Sequence, residues 1–151
     1  MKTPQTEADS SQILEALTHG IAGDDDTAWG ILQPIVRRSD ATMFATLCTL
    51  AEAAAFDALQ DLKPGERFGL QVDDIQTGTE GSADDLPPGI RFAAQFVTAH
   101  ANRDTDTADA LYRALYMRDP ENLAVGFRTV YEMAVVSLRA FCERKRTEGD
   151  R

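Results

Sequence analysis

The chain has 151 residues, the size of one ordinary domain. Its 15 Lys and Arg stand against 25 Asp and Glu, a formal net charge of -10, which is the wrong sign for non-specific contact with nucleic acid or an anionic membrane. Apolar residues make up 43%, which excludes a disordered tail and predicts a folded domain with a real core.

Residues 1–9 read as a flexible arm. They lack the apolar run of a signal peptide, so the expected compartment is the cytoplasm. Ser10 and Ser11 stand before Ile13, Leu14, Leu17 and Ile21 at helical spacing, which predicts a first helix with a serine N-cap. Gly23 closes it. Asp24, Asp25 and Asp26 then place carboxylates at the start of a second helix, where they cap free N–H groups and suit the dipole. Its apolar positions are Ile31, Leu32, Ile35 and Val36, and Pro34 predicts a kink or an early end. Ser39 or Asp40 caps a third, longer helix with Met43, Leu47, Leu50 and Ala54 on one face, stopping at Lys63-Pro64-Gly65. Ala41–Leu59 is the most apolar long window. Glu52 and Asp57 interrupt it, so it reads as a buried helix and not a membrane span.

Residues 63–88 differ in kind. Phe68, Leu70 and Val72 alternate with Gly69 and Gln71, which predicts a short strand or hairpin within a loop-rich linker. An isolated strand leaves its edge groups open, so it must pair with a second short strand near Ile75–Thr79 or with its copy in another subunit; the expected dimer pairs Phe68, Leu70 and Val72 with the same segment of a second copy. After Pro88 the helical pattern returns with Ile90, Phe92, Phe96 and Val97, and Asn102 ends it. Asp104 caps a fifth helix carrying Leu111, Tyr112, Leu115 and Tyr116. Asp119-Pro120-Glu121 opens the last, with Leu123, Phe127, Val130, Ala134, Leu138 and Phe141 at near-heptad spacing.

The chain aligns with itself at an offset of 80 residues. Gly23–Ala28 (GDDDTA) meets Arg103–Ala108 (RDTDTA), and Glu52 meets Glu132. The apolar pattern follows, with Leu17 on Val97, Leu47 on Phe127 and Leu50 on Val130. The expected fold is therefore all-α. Six helices form two repeated three-helix units, 10–62 and 89–146, joined by the strand-bearing linker, with 147–151 as a flexible end.

Motifs for chemistry are absent. The two cysteines, Cys48 and Cys142, are far apart, and the aspartates lack the alternating spacing of a calcium loop, so neither metal nor cofactor is expected. No G-x-S-x-G elbow or glycine-rich phosphate loop occurs. Glu52 and Glu132 hold equivalent places in the two long helices. Facing inward they would titrate as a coupled pair; a rim position beside an arginine such as Arg128 or Arg139 fits the helix face better. Tyr112, Tyr116 and Tyr131 read first as core residues with a wet hydroxyl, since a buried tyrosine hydroxyl needs a partner; the alternative is an interface or ligand pocket on the middle helix of the second unit. The reading is a small acidic bacterial protein acting through protein contacts as a homodimer, with an unidentified partner. The alternative is an enzyme or small-molecule binder with a pocket between the two units.

Overall fold

The structure, a computed structural model, describes residues 4–69 and 85–150. The regular elements among the described residues are six helices: α1 (Pro4–Ile21), α2 (Asp25–Val36), α3 (Asp40–Gln60), α4 (Pro88–Ala101), α5 (Thr105–Arg118) and α6 (Pro120–Gly149).

Local chemistry sets most of the helix starts. Asp24 accepts the Thr27 N–H, Ser39 that of Thr42, Asp104 that of Thr107 and Asp119 that of Asn122. Each satisfies a donor the helix itself leaves free. Pro120 sits at the first position of α6, where its missing N–H costs nothing. α2 contains Pro34 and ends two residues later, at Val36. α1 departs from expectation. It begins at Pro4, not behind Ser10 and Ser11. Those serines lie inside the helix, and Asp9 holds Arg38 across to the end of α2 at 2.9 Å. Proline is favoured at the first helical position, where its missing N–H would have no partner. α6 likewise runs on to Gly149, past the expected end at 146.

α3 and α6 form the spine. Asp57 meets Ser137, and Asp61 meets Arg144 farther along both helices, so the two run side by side in the same direction. α4 packs against α3, α5 and α6, and eight of its residues are buried. α1 and α2 form a hairpin against the other side of α6 and α3. The core joins Leu17, Leu32 and Ile35 to Leu47 and Leu50 of α3, Phe96 and Val97 of α4, and Phe127, Val130 and Tyr131 of α6. By length and composition α3 could cross a membrane; here its Thr46, Leu47, Leu50, Ala51 and Ala55 are buried in the bundle.

The predicted strand is corrected at its first residues. No strand occurs among the described residues, and Phe68 is buried against the helices. Its N–H donates to Asn102 Oδ1 at 2.8 Å, and its C=O accepts from Asn102 Nδ2 at 3.0 Å. One side-chain amide thus supplies both bonds that a neighbouring strand would give. Leu70 and Val72 lie outside the described residues.

The α1–α2 and α4–α5 corners are built alike. In the first, the Gly23 N–H reaches Gly20 O at 3.0 Å and the Asp24 N–H reaches His19 O at 2.9 Å. In the second, the Arg103 N–H reaches His100 O at 3.0 Å and the Asp104 N–H reaches Ala99 O at 2.8 Å. Both are Schellman endings, which need a left-handed residue after the helix. Gly23 takes φ 88° without strain; Arg103 takes φ 62° and is the one non-glycine residue with positive φ among those described. That conformation costs a side-chain-bearing residue roughly 1–2 kcal/mol.

Gly20 is a point of close approach. A Cβ there would collide with the Tyr131 hydroxyl and stand 2.8 Å from Val135. Replacing Gly20 with Ala is expected to destabilise the fold by about 1–3 kcal/mol through overpacking, despite the better helix propensity of alanine. Urea denaturation of Gly20→Ala measures this; unchanged stability would mean that α1 does not press on Tyr131.

Candidate functional site

The tyrosines do not form one site. Tyr112 is buried on α5, with its ring 5.0 Å from Phe44 and 5.6 Å from Tyr116. Its hydroxyl donates to Asp40 Oδ1 at 2.5 Å, tying α5 to the start of α3. Burial and the Asp40 carboxylate push its ionisation up, out of reach of physiological pH. Tyr131, on α6, packs against Trp29 with the rings tilted by 50° and 4.8 Å apart, and its hydroxyl donates to Asp25 Oδ1 at 2.8 Å. Burial, then Asp25, raises its ionisation too. Both hydroxyls are structural donors. Tyr116 is exposed beside Met117 at the end of α5.

The two glutamates are likewise separate. Glu132 stands exposed on α6 and pairs with Arg128 one turn earlier at 3.3 Å. Glu52 reaches from α3 to the α4–α5 corner. Its Oε2 lies 2.9 Å from His100 Nε2 and 3.0 Å from Arg103 Nη1, and its Oε1 lies 3.2 Å from Arg103 Nη2. The Arg103 guanidinium holds the Glu52 carboxyl below its ordinary value, with His100 adding to the effect and partial burial opposing it. The Glu52 side chain is 42% exposed and that of Arg103 68%. At such exposure an ion pair contributes about 0–1 kcal/mol. That is close in size to the left-handed strain at Arg103, so the corner is near balance. Sequence reasoning missed this cluster. Its signal was present: Arg103 aligns with Gly23, so a charged residue stands where the helix ending calls for glycine.

Thiol chemistry is not supported either. Burial, with Asp109 nearby, pushes the half-buried Cys48 thiol up to about 11, so it stays protonated at neutral pH. Cys142 is exposed, and neither cysteine is in a disulfide. Among the described residues no group of three or more His, Cys, Asp or Glu could hold a metal ion.

An open groove of about 580 Å³ lies among α3, α4 and α6. Ala54 and Ala58 of α3, Ile90 and Ala94 of α4, and Met133, Val136 and Ala140 of α6 line it, and Phe68 and Gly69 form one wall. Small side chains on α3 and α4 make the space; Val136 stands 64% exposed at the rim. Two acids border it, and each is neutralised from within the chain. Asp57 Oδ1 is 2.6 Å from Arg144 Nη2, and Glu132 pairs with Arg128. The groove lies between the two halves of the chain. Of the sequence-predicted site residues that are described, Phe68 and Glu132 line it.

Compared with protein-family models, with curated proteins and with solved structures, the chain matches none of them.

The Glu52 cluster has a pH signature with a definite sign. Its folded carboxyl ionises below its ordinary value of 4.5, so the stability it contributes is present above that value and is lost as pH falls through the folded one. The stability difference between the natural protein and Glu52→Gln, from urea denaturation, is expected to be larger at about pH 7 than at about pH 3. A difference that does not change with pH would show that the carboxylate charge contributes nothing.

Proposed function

We propose that this protein is a non-enzymatic interaction domain that self-associates through the groove between α3, α4 and α6. The observation that carries the reading is the character of that groove: an open, mainly apolar concavity lined by Ala54, Ala58, Ile90, Ala94, Met133 and Val136. Its bordering acids are paired internally, so two copies of a protein of net charge -10 can meet there without like-charge repulsion. The occupant is a second copy of the chain. Strand pairing through Phe68 is not the route, because its backbone groups are taken by Asn102. The two free cysteines suit a reducing compartment such as the cytoplasm.

We also infer that the halves 10–62 and 89–146 are copies of one three-helix unit. The matching corners at Gly23 and Arg103 support this, as do Thr18 and Thr98, which each donate to the carbonyl four residues back. So does the contact of Asp57 N–H with Ser137 Oγ at 3.1 Å, which joins positions 80 residues apart. Two copies facing across a two-fold axis bring equivalent positions together in this way.

A second reading rests on groove size. About 580 Å³ falls in the range of small-molecule pockets, roughly 300–1,000 Å³, so a small apolar ligand fits it. Sedimentation equilibrium separates the two. The natural protein is expected to dimerise at micromolar concentration, and Val136→Glu, which buries no charge in the monomer, is expected to shift it to monomer. A monomeric natural protein that binds an apolar dye, with binding lost in Val136→Glu, would replace the first reading by the second.

A further inference from the structure

The α4–α5 corner holds two other parts of the molecule within four residues. His100 and Arg103 hold Glu52 of α3. Asn102, between them, holds both backbone groups of Phe68. Phe68 and Gly69 are a wall of the groove. Arg103 alone among the described non-glycine residues is left-handed, and the equivalent corner uses glycine and has no such ion pair. We propose that this corner is a latch: the ion pair with Glu52 keeps Arg103 left-handed, which aims Asn102 at Phe68 and so holds the groove wall in place.

The physical chain is short. A left-handed residue is what closes the Schellman ending at Ala99 and His100. An arginine there is strained unless something holds it. Glu52 supplies the hold with two contacts to one guanidinium, a geometry that fixes direction as well as distance. When the pair is broken, the strain is relieved by leaving the left-handed region. The ending then opens, Asn102 turns with it, and Phe68 loses both bonds. The groove widens on that side. The latch therefore regulates access to the groove, and this part rests on the groove being the contact surface proposed above.

Exchange of the Phe68 amide, followed by NMR, reads the latch directly. In Glu52→Gln the rate is expected to rise about two- to fivefold while that of Leu17, in α1, does not change. Arg103→Gly is expected to retain slow exchange, because glycine adopts this conformation without help. The double variant Glu52→Gln with Arg103→Gly is expected to restore slow exchange. Simple loss of an attraction predicts no such rescue. Unchanged Phe68 exchange in Glu52→Gln, failure of the rescue, or an equal rise at Leu17 would each overturn the latch. Uptake of 1-anilinonaphthalene-8-sulfonate is expected to increase in Glu52→Gln and to return to the natural level in the double variant. A freed Phe68 with unchanged dye uptake would overturn the link to the groove. The dimer measurement on Val136→Glu is independent of both, so the two readings fail separately.

Discussion

Two long helices lying side by side, α3 and α6, are the constraint on which the other helices depend. A single helix of this kind has apolar residues on more than one side and cannot be stable alone in water. Leu47, Leu50 and Ala51 meet Phe127, Val130 and Ala134 in one core, and removing that surface from water is the dominant favourable contribution to folding. At the far end the seam is finished by polar contacts. Arg144 bridges Asp57 and Asp61 and also donates to the Asp57 carbonyl at 3.1 Å. It thereby satisfies a backbone acceptor in the last turn of α3, where a cation also suits the dipole.

The remaining helices cover this spine unevenly. α4 is buried along most of its length by α3, α5 and α6. On the other side, Arg139 of α6 donates to the carbonyls of Gly20 and Ile21 at 3.3 and 3.2 Å, and Tyr131 reaches Asp25. One corner is thus held through a glycine and an arriving tyrosine, the other through a strained arginine and an arriving glutamate. The same turn geometry is met by different chemistry. Ala54, Ala58 and Ala94 leave room beside α6, and that room is the groove.

Much of this was legible along the chain. Asp24, Ser39, Asp104 and Asp119 cap helices because a short oxygen-bearing side chain reaches the N–H three residues on, a fact of local geometry. The apolar positions Leu17, Leu32, Leu47, Leu50, Phe96, Val97 and Val130 are in the core because helical spacing places them on one face. The pairing of Glu132 with Arg128 is local too, one helical turn apart. Local reading failed at Phe68 because a distant residue intervened, and at the start of α1 because the helix begins at an earlier residue. Phe68 alternates like a strand, yet its backbone bonds are made by Asn102, 34 residues away. Ser10 and Ser11 resemble N-caps, yet α1 begins earlier, at Pro4.

Sequence by itself determined the helical class, the helix stops and starts near each cap, the core faces and the acidic surface, since all of these depend on residues within a turn or two of each other. Tertiary structure decided how Glu52 and Glu132 differ. They hold equivalent places in the alignment, yet one meets His100 and Arg103 while the other stays in solvent. It also separated Tyr112 from Tyr131, and it made the groove. The physical reason is common to all three. Charge partners, hydroxyl acceptors and cavities are properties of the space between helices, set by how their faces come together, and periodicity along one helix carries no information about what its neighbour presents.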